Sequence, residues 1–299
     1  MAQYECYVLG CKEPPIRSHS LSKESMLRQI SVDGHVDSII MSEGRKQGIG
    51  DKNKNDAIRS LFCKKHDDLF QPIDNISWTK DPIEDRHFFL IAMRCAAKEW
   101  FQQLNVAIPA QRAMNSFEHS PIQFPSEEVD ATEQDIRKFR KFFTDNVQAG
   151  RYKSMQGSLI KVSGSAKAAY SSPMLLEQGP EGIINDLIHS VDKKIKIAPL
   201  YVTFFPVSEQ EAFLFLCYKK TQKSKYSFID TKWEKFNNLE KINLVNSLLV
   251  LYGENLFTAP NFLNQQEIVA CNRIKIAEYR SAQLTQSPDT FRSPVSFFE

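Results

Sequence analysis

Residues 61–74 read LFCKKHDDLFQPID, and this stretch decides how the N-terminal region folds. Cys63 and His66 stand three positions apart, so a helix that starts here turns both side chains to one face. Upstream, Cys6 and Cys11 form a second pair with four residues between them. Each pair is tight enough to close on a single ion. Together they make a Cys3His set, which is the closed tetrahedral arrangement of a structural zinc site rather than a catalytic one. Fifty-one residues separate the pairs, so one ion would join two distant segments. The competing reading is of separate core cysteines beside an incidental histidine.

Between the pairs lies His19, in the stretch RSHSLSKESML (residues 17–27), whose polar flanks take it out of a core. An early cysteine pair, then His19-x-x-Ser22, then a late soft-ligand pair on a helix resembles the HNH, or ββα-metal, endonucleases. The resemblance implies that His19 is the general base that activates water. It also implies that Cys6, Cys11, Cys63 and His66 form the zinc knuckle. Asp67 falls where the family has its metal-binding histidine. A carboxylate there suits Mg²⁺ or Mn²⁺, with Asp68 or Asp74 as further oxygen donors. The family's central asparagine position is occupied by Ile58, and Asn55, three residues upstream, is the nearest substitute.

A second resemblance covers more of the chain. The order SHSLSK, LFCKKHDDLFQPID, FLIAMRCAAKEW, LVLYGENLFTAPNF is similar to a group of bacterial proteins with SH-x-x-S and FC-x-x-HD motifs. It runs from Cys6 to about Phe262, and it implies a role in bacterial defence against phage.

Outward from these motifs, the chain has 299 residues, 42% of them apolar and 25% charged, which places it among globular proteins with buried cores. Phe88–Met93 and Leu248–Tyr252, the longest apolar runs, are too short to cross a bilayer. The start, MAQYECYVLG, lacks the basic and apolar regions of a signal peptide, so a cytoplasmic location is expected, with no membrane partner. Of the six cysteines, Cys95, Cys217 and Cys271 each sit alone in an apolar or helical pattern and read as small buried hydrophobes.

Net charge is +2, but its distribution is uneven: residues 44–65 hold seven Lys/Arg against two Asp, and residues 137–167 hold eight against one. Such clusters can track a phosphate backbone, although a solvated helix or loop face is the stronger reading of either one taken alone. The expected partner is nucleic acid, DNA ahead of RNA, with a homo-oligomer or a defence-system protein as further partners.

The pattern of elements gives an α+β fold. Residues 1–80 read as a zinc-stabilised HNH-like ββα module, with a strand at Val36–Met41 and a helix over Ser60–Phe70. Residues 81–150 read as a helical connector. Its first helix covers residues 84–105, a loop containing Pro109, Pro121 and Pro125 follows, and its second helix is capped by Thr132 and stopped at Gly150. Residues 151–299 read as an antiparallel sheet with flanking helices. The expected strands are Ser158–Ser163, Ile197–Phe205, Ala212–Tyr218 and Ser227–Ile229, and the expected helices Asn238–Tyr252 and Gln265–Leu284. This domain would sense a trigger or mediate oligomerisation.

Arg94 and Glu99 could face the site, although a structural ion pair accounts for them better. Trp78 and Trp100 could stack on bases, although core packing is the stronger reading. There is no Walker-type phosphate loop and no G-x-S-x-G elbow. Two functions therefore compete. One is a metal-dependent HNH-like nuclease acting on phosphodiesters through His19, Asn55 and Asp67. The other is a non-enzymatic, zinc-folded binding or regulatory protein.

Overall fold

A computed structural model describes residues 5–19, 21, 26–38, 45–48, 58–117, 125–174, 176–177, 185–186, 200–226, 233–252, 256–260, 262 and 296–298. The fold mixes helices with an antiparallel sheet. Near the N-terminus, β1 (Ile16–His19) pairs antiparallel with β4 (Ile58–Phe62), with His19 opposite Ile58. Between them, β2 (His35–Ser38) and β3 (Arg45–Gly48) form a second antiparallel pair. Ser60 to Phe62, expected to begin a helix, belong to β4. The helix α1 (Lys64–Asp67) starts only after Cys63, and α2 (Gln71–Asp74) follows it.

The central helix is α3 (Asp85–Gln102), in which every residue from Phe88 to Trp100 is buried. The helical path continues through a π turn at Gln103–Ala107 into α4 (Ile108–Asn115). The expected break at Pro109 is therefore absent. A proline lacks the N–H that would bond four residues back, and its ring crowds that carbonyl. The wider π turn, in which Ile108 N–H reaches the Gln103 carbonyl, takes up the mismatch just ahead of it. α5 (Ser126–Gln148) begins six residues before the expected cap at Thr132, directly after Pro125.

The C-terminal half supplies β5 (Met155–Ser163), β6 (Ala168–Met174), the short pair β7 (Leu176–Glu177) and β8 (Asn185–Asp186), then β9 (Leu200–Ser208) and β10 (Glu211–Lys219). After them come α6 (Lys223–Tyr226), α7 (Asn238–Tyr252) and β11 (Leu256–Thr258). β9 and β10 form the expected hairpin but run beyond Phe205, so that only Glu209 and Gln210 make the turn. Pro206 is tolerated within β9 because the register shifts beside its partner Ala212, so the ladder is already irregular there. The strand expected at 227–229, the helix expected at 265–284 and Cys271 lie outside the described residues.

Seven strands form one antiparallel sheet in the order β3-β2-β11-β6-β9-β10-β5. Strands from residues 35–48 thus share a sheet with strands from 155–258, and the boundaries drawn at residues 80 and 150 do not divide it. Both faces of the sheet are covered, which explains why LYVTFFPV in β9 reads as a continuous apolar run rather than an alternating one. Tyr201 and Phe205 point to the side of α3, α5 and the N-terminal segment. Leu200, Val202 and Phe204 point to the side of α7. The C-terminal tail docks on this second side, where Phe297 is buried and accepts an N–H bond from Lys167 through its carbonyl. Among the described residues no helix is long and apolar enough to cross a membrane.

Candidate metal centre

The loop that carries Cys6 and Cys11 is held by its own turn. Cys11 N–H bonds the Val8 carbonyl at 3.2 Å, and Gly10 takes φ +78°, as the third residue of a type II turn requires. Tyr7 N–H bonds the Leu61 carbonyl at 2.7 Å, which lays this loop beside the end of β4. β4 delivers Cys63, whose extended φ −70°, ψ 167° make it the N-cap of α1. His66 N–H and Asp67 N–H both bond the Cys63 carbonyl, at 3.0 and 2.8 Å. That single turn brings His66 back over Cys63.

The four ligand atoms converge. Cys11 Sγ lies 3.6 Å from Cys63 Sγ, and His66 Nδ1 lies 3.3 Å from Cys6 Sγ and 3.2 Å from Cys63 Sγ. All four fall within 4.8 Å of one another. A tetrahedron with metal–sulfur bonds of about 2.3 Å has sulfur–sulfur edges of about 3.8 Å. The donor set and its dimensions fit one soft-ligand divalent cation. Cys63 N–H also donates to Cys6 Sγ at 3.4 Å, a bond that stabilises a thiolate.

Cys6 and Cys63 are fully buried, Cys11 and His66 half-buried. Burial pushes the Cys63 thiol up to about 12 and raises Cys6 as well. Burial, aided by the neighbouring Lys65, lowers His66. All three shifts favour neutral side chains, so cation uptake displaces thiol protons.

The remaining expected site residues are placed as follows. His19 ends β1, and its side chain lies outside the described residues, as does Asn55. Asp67 is half-buried and adjacent to His66. Asp68 pairs with Lys64 at 2.5 Å. Asp74 receives both arms of the Arg94 guanidinium, at 2.7 and 2.9 Å, and that guanidinium sits 4.4 Å over the Phe70 ring. Arg94 is therefore held in a structural ion pair with Asp74, and Gln103 donates to Glu99 at 2.7 Å. Both tryptophans pack in the core. Trp78 lies 5.2 Å from the rings of Phe205 and Phe215, and Trp100 lies 5.6 Å from that of Tyr7.

No family model, no curated protein and no solved structure matches this chain. The reading of the site therefore rests on its own geometry.

Sequence reasoning missed α5's hold on the cysteine loop. Arg140 Nε donates to the Tyr7 carbonyl and Nη2 to the Cys6 carbonyl, both at 2.7 Å, while Nη1 donates to Glu5 at 2.5 Å. Thr144 Oγ1 accepts from Leu9 N–H at 3.1 Å, and Gln148 Nε2 donates to the Leu9 carbonyl at 3.0 Å. The one signal in the sequence was Arg140 itself, flanked by the apolar face of Ile136, Phe139, Phe143 and Val147. Much of the basic cluster at 137–167 is also internally paired. Arg137 bonds Glu133, Lys138 bonds Asp135, Lys141 bonds Asp145 and Lys161 bonds Glu211.

Proposed function

We propose that this chain is a metal-dependent nuclease with an HNH-like N-terminal module, in which Cys6, Cys11, Cys63 and His66 hold a structural zinc ion. One observation carries the reading: the Cys3His cluster closes the Ile16–Phe62 end of the antiparallel pair of β1 and β4, with Asp67 in the helix that follows at that end and His19 at the other end, opposite Ile58. In this reading His19 takes a proton from the attacking water, and Asp67, with Asn55 or Asp68, supplies hard oxygen donors. A Mg²⁺ or Mn²⁺ ion bound there would stabilise charge on the leaving oxygen. The exposed Lys12 and Lys65, next to Cys11 and His66 in the sequence, are available to phosphates. The biological setting proposed is defence against phage.

The test is cleavage of plasmid DNA or of RNA by the purified protein with Mg²⁺ or Mn²⁺, beside His19→Ala. Activity that is present in the wild type and lost in His19→Ala supports the proposal. Cleavage absent from both, or equal in both, removes it.

The second reading, a zinc-folded binding or regulatory protein, is favoured by the engagement of Asp68 by Lys64 and of Asp74 by Arg94. Asp67→Ala separates the two. A nuclease loses metal-dependent turnover, and a binding protein keeps its cellular activity and its metal content.

A further inference from the structure

We infer that α5 is the outer holder of the metal centre, with Arg140, Thr144 and Gln148 as positioning residues that set the Cys6–Cys11 loop for cation uptake. The inference rests on the four ligands being a metal site and is independent of nuclease activity.

Residues 140, 144 and 148 are spaced four apart, so they form one stripe along the helix. Every hydrogen bond they make to this loop, apart from that to the Glu5 carboxylate, goes to its backbone. Arg140 takes the carbonyls of Cys6 and Tyr7, Thr144 the N–H of Leu9, and Gln148 the carbonyl of Leu9. A short irregular loop next to a core must have its backbone groups satisfied somewhere, and here α5 satisfies four of them. The loop's own turn and its one bond to β4 fix the remaining groups named above.

Arg140 fits this role as lysine could not. Its planar fork aims three N–H donors at three acceptors in one plane, while the guanidinium lies 4.5 Å from the centroid of the Trp100 ring. It is 4% exposed, and its carboxylate partner among the described residues, Glu5, is largely exposed. Three thiolates and one divalent cation leave a net charge of −1 on the ligand cluster, and the buried guanidinium donates to the carbonyl of one of those ligands. Hydrogen bonds of this outer kind orient a metal's ligands, and losing one commonly costs about 10- to 100-fold in affinity.

The test measures Zn²⁺ affinity by chelator competition and records the visible spectrum of the Co²⁺-loaded full-length protein. Arg140→Gln should weaken Zn²⁺ binding about 10- to 100-fold and shift the Co²⁺ bands. Arg140→Lys, which keeps the charge but not the fork, should not restore them. Thr144→Val and the exposed Gln148→Ala should weaken binding by less, in that order. Arg137→Gln, on the same helix but paired with Glu133 rather than with the loop, should leave affinity and spectrum unchanged.

Thermal unfolding with and without Zn²⁺ separates positioning from bulk stability. A positioning residue narrows the gap between the two melting temperatures, whereas a merely structural one lowers both equally. Should Arg140→Gln fail to fold, Thr144→Val and Gln148→Ala decide the matter alone. Wild-type affinity, spectrum and gap in those variants would overturn the inference, and so would a wild-type protein that takes up no Zn²⁺. In the latter case the metal reading itself falls, which a failure confined to the variants would not imply.

Discussion

Cys63 does three things at once: it joins β4 to α1, caps α1 and offers a sulfur to the ligand cluster. Cys63→Ser keeps a good capping residue while removing the soft ligand, so its effect isolates the metal. Elemental analysis should find about one zinc per wild-type chain and close to none in the variant, whose unfolding transition should fall to a lower temperature. A metal-free wild type of unchanged stability would contradict this. Asp74 makes a different prediction. Truncating it to Ala leaves the Arg94 guanidinium, 6% exposed, without its bidentate partner, which should cost about 3 kcal/mol in denaturant unfolding. The ligand pairs were legible in the sequence because each is local and made of residue types with a narrow chemistry. The α5 stripe was not, because Arg140 reaches backbone carbonyls more than 130 positions away, and any residue can offer a carbonyl.

At the scale of elements, the start of α3 carries a pH dependence. Glu84 N–H donates to Nδ1 of His87 at 2.9 Å, a bond that requires the ring nitrogen to be unprotonated, and burial holds His87 below the ordinary histidine value of about 6.5. Above pH 6.5 His87 is neutral in both folded and unfolded chains and adds no slope. As pH falls through 6.5, the unfolded chain gains a proton that the fold resists, so stability declines until the folded form protonates as well. His87→Gln keeps an acceptor at the same capping position and cannot titrate, so it should flatten the decline below pH 6.5 in urea melts. An unchanged slope would assign the dependence elsewhere. The elements that escaped sequence reading share a cause. β6 begins Ala168-Ala169 and ends near Pro173, a composition that argues against a strand, yet its small residues suit a position between β11 and β9. Pro173 falls beyond the residues that pair with β11, so its missing donor interrupts no bond on that side. Pro109 likewise reads as a break until the π turn before it is seen.

For the whole molecule, the strand order joins what the sequence order keeps apart. β2 meets the rest of the sheet through β11, more than 200 positions away, and α5 grips the loop that bears Cys6 and Cys11. One buried cluster contains Cys6, Cys63, Trp100, Phe143, Tyr201 and Phe257, and so runs from the metal ligands through both long helices to the sheet. Pairings of this length leave no periodic trace, which is why a three-part division was the natural reading of the sequence. The physical consequence is cooperativity. If the metal centre were a separate module, calorimetry would resolve a small zinc-dependent transition beside a larger, zinc-independent one. Because the ligands, α3, α5 and the sheet share one core, removing the cation should instead lower a single main transition. With free zinc at about 1,000 times its dissociation constant, the loaded protein should gain about 4 kcal/mol over the chelated one. A fragment of residues 1–80, deprived of β11 and α5, should show no cooperative melt even with zinc. Two resolved transitions, or a folded 1–80 fragment, would show instead that the ion organises its own domain. The agreement of calorimetric and van't Hoff enthalpies in the loaded protein measures the same property without any mutation.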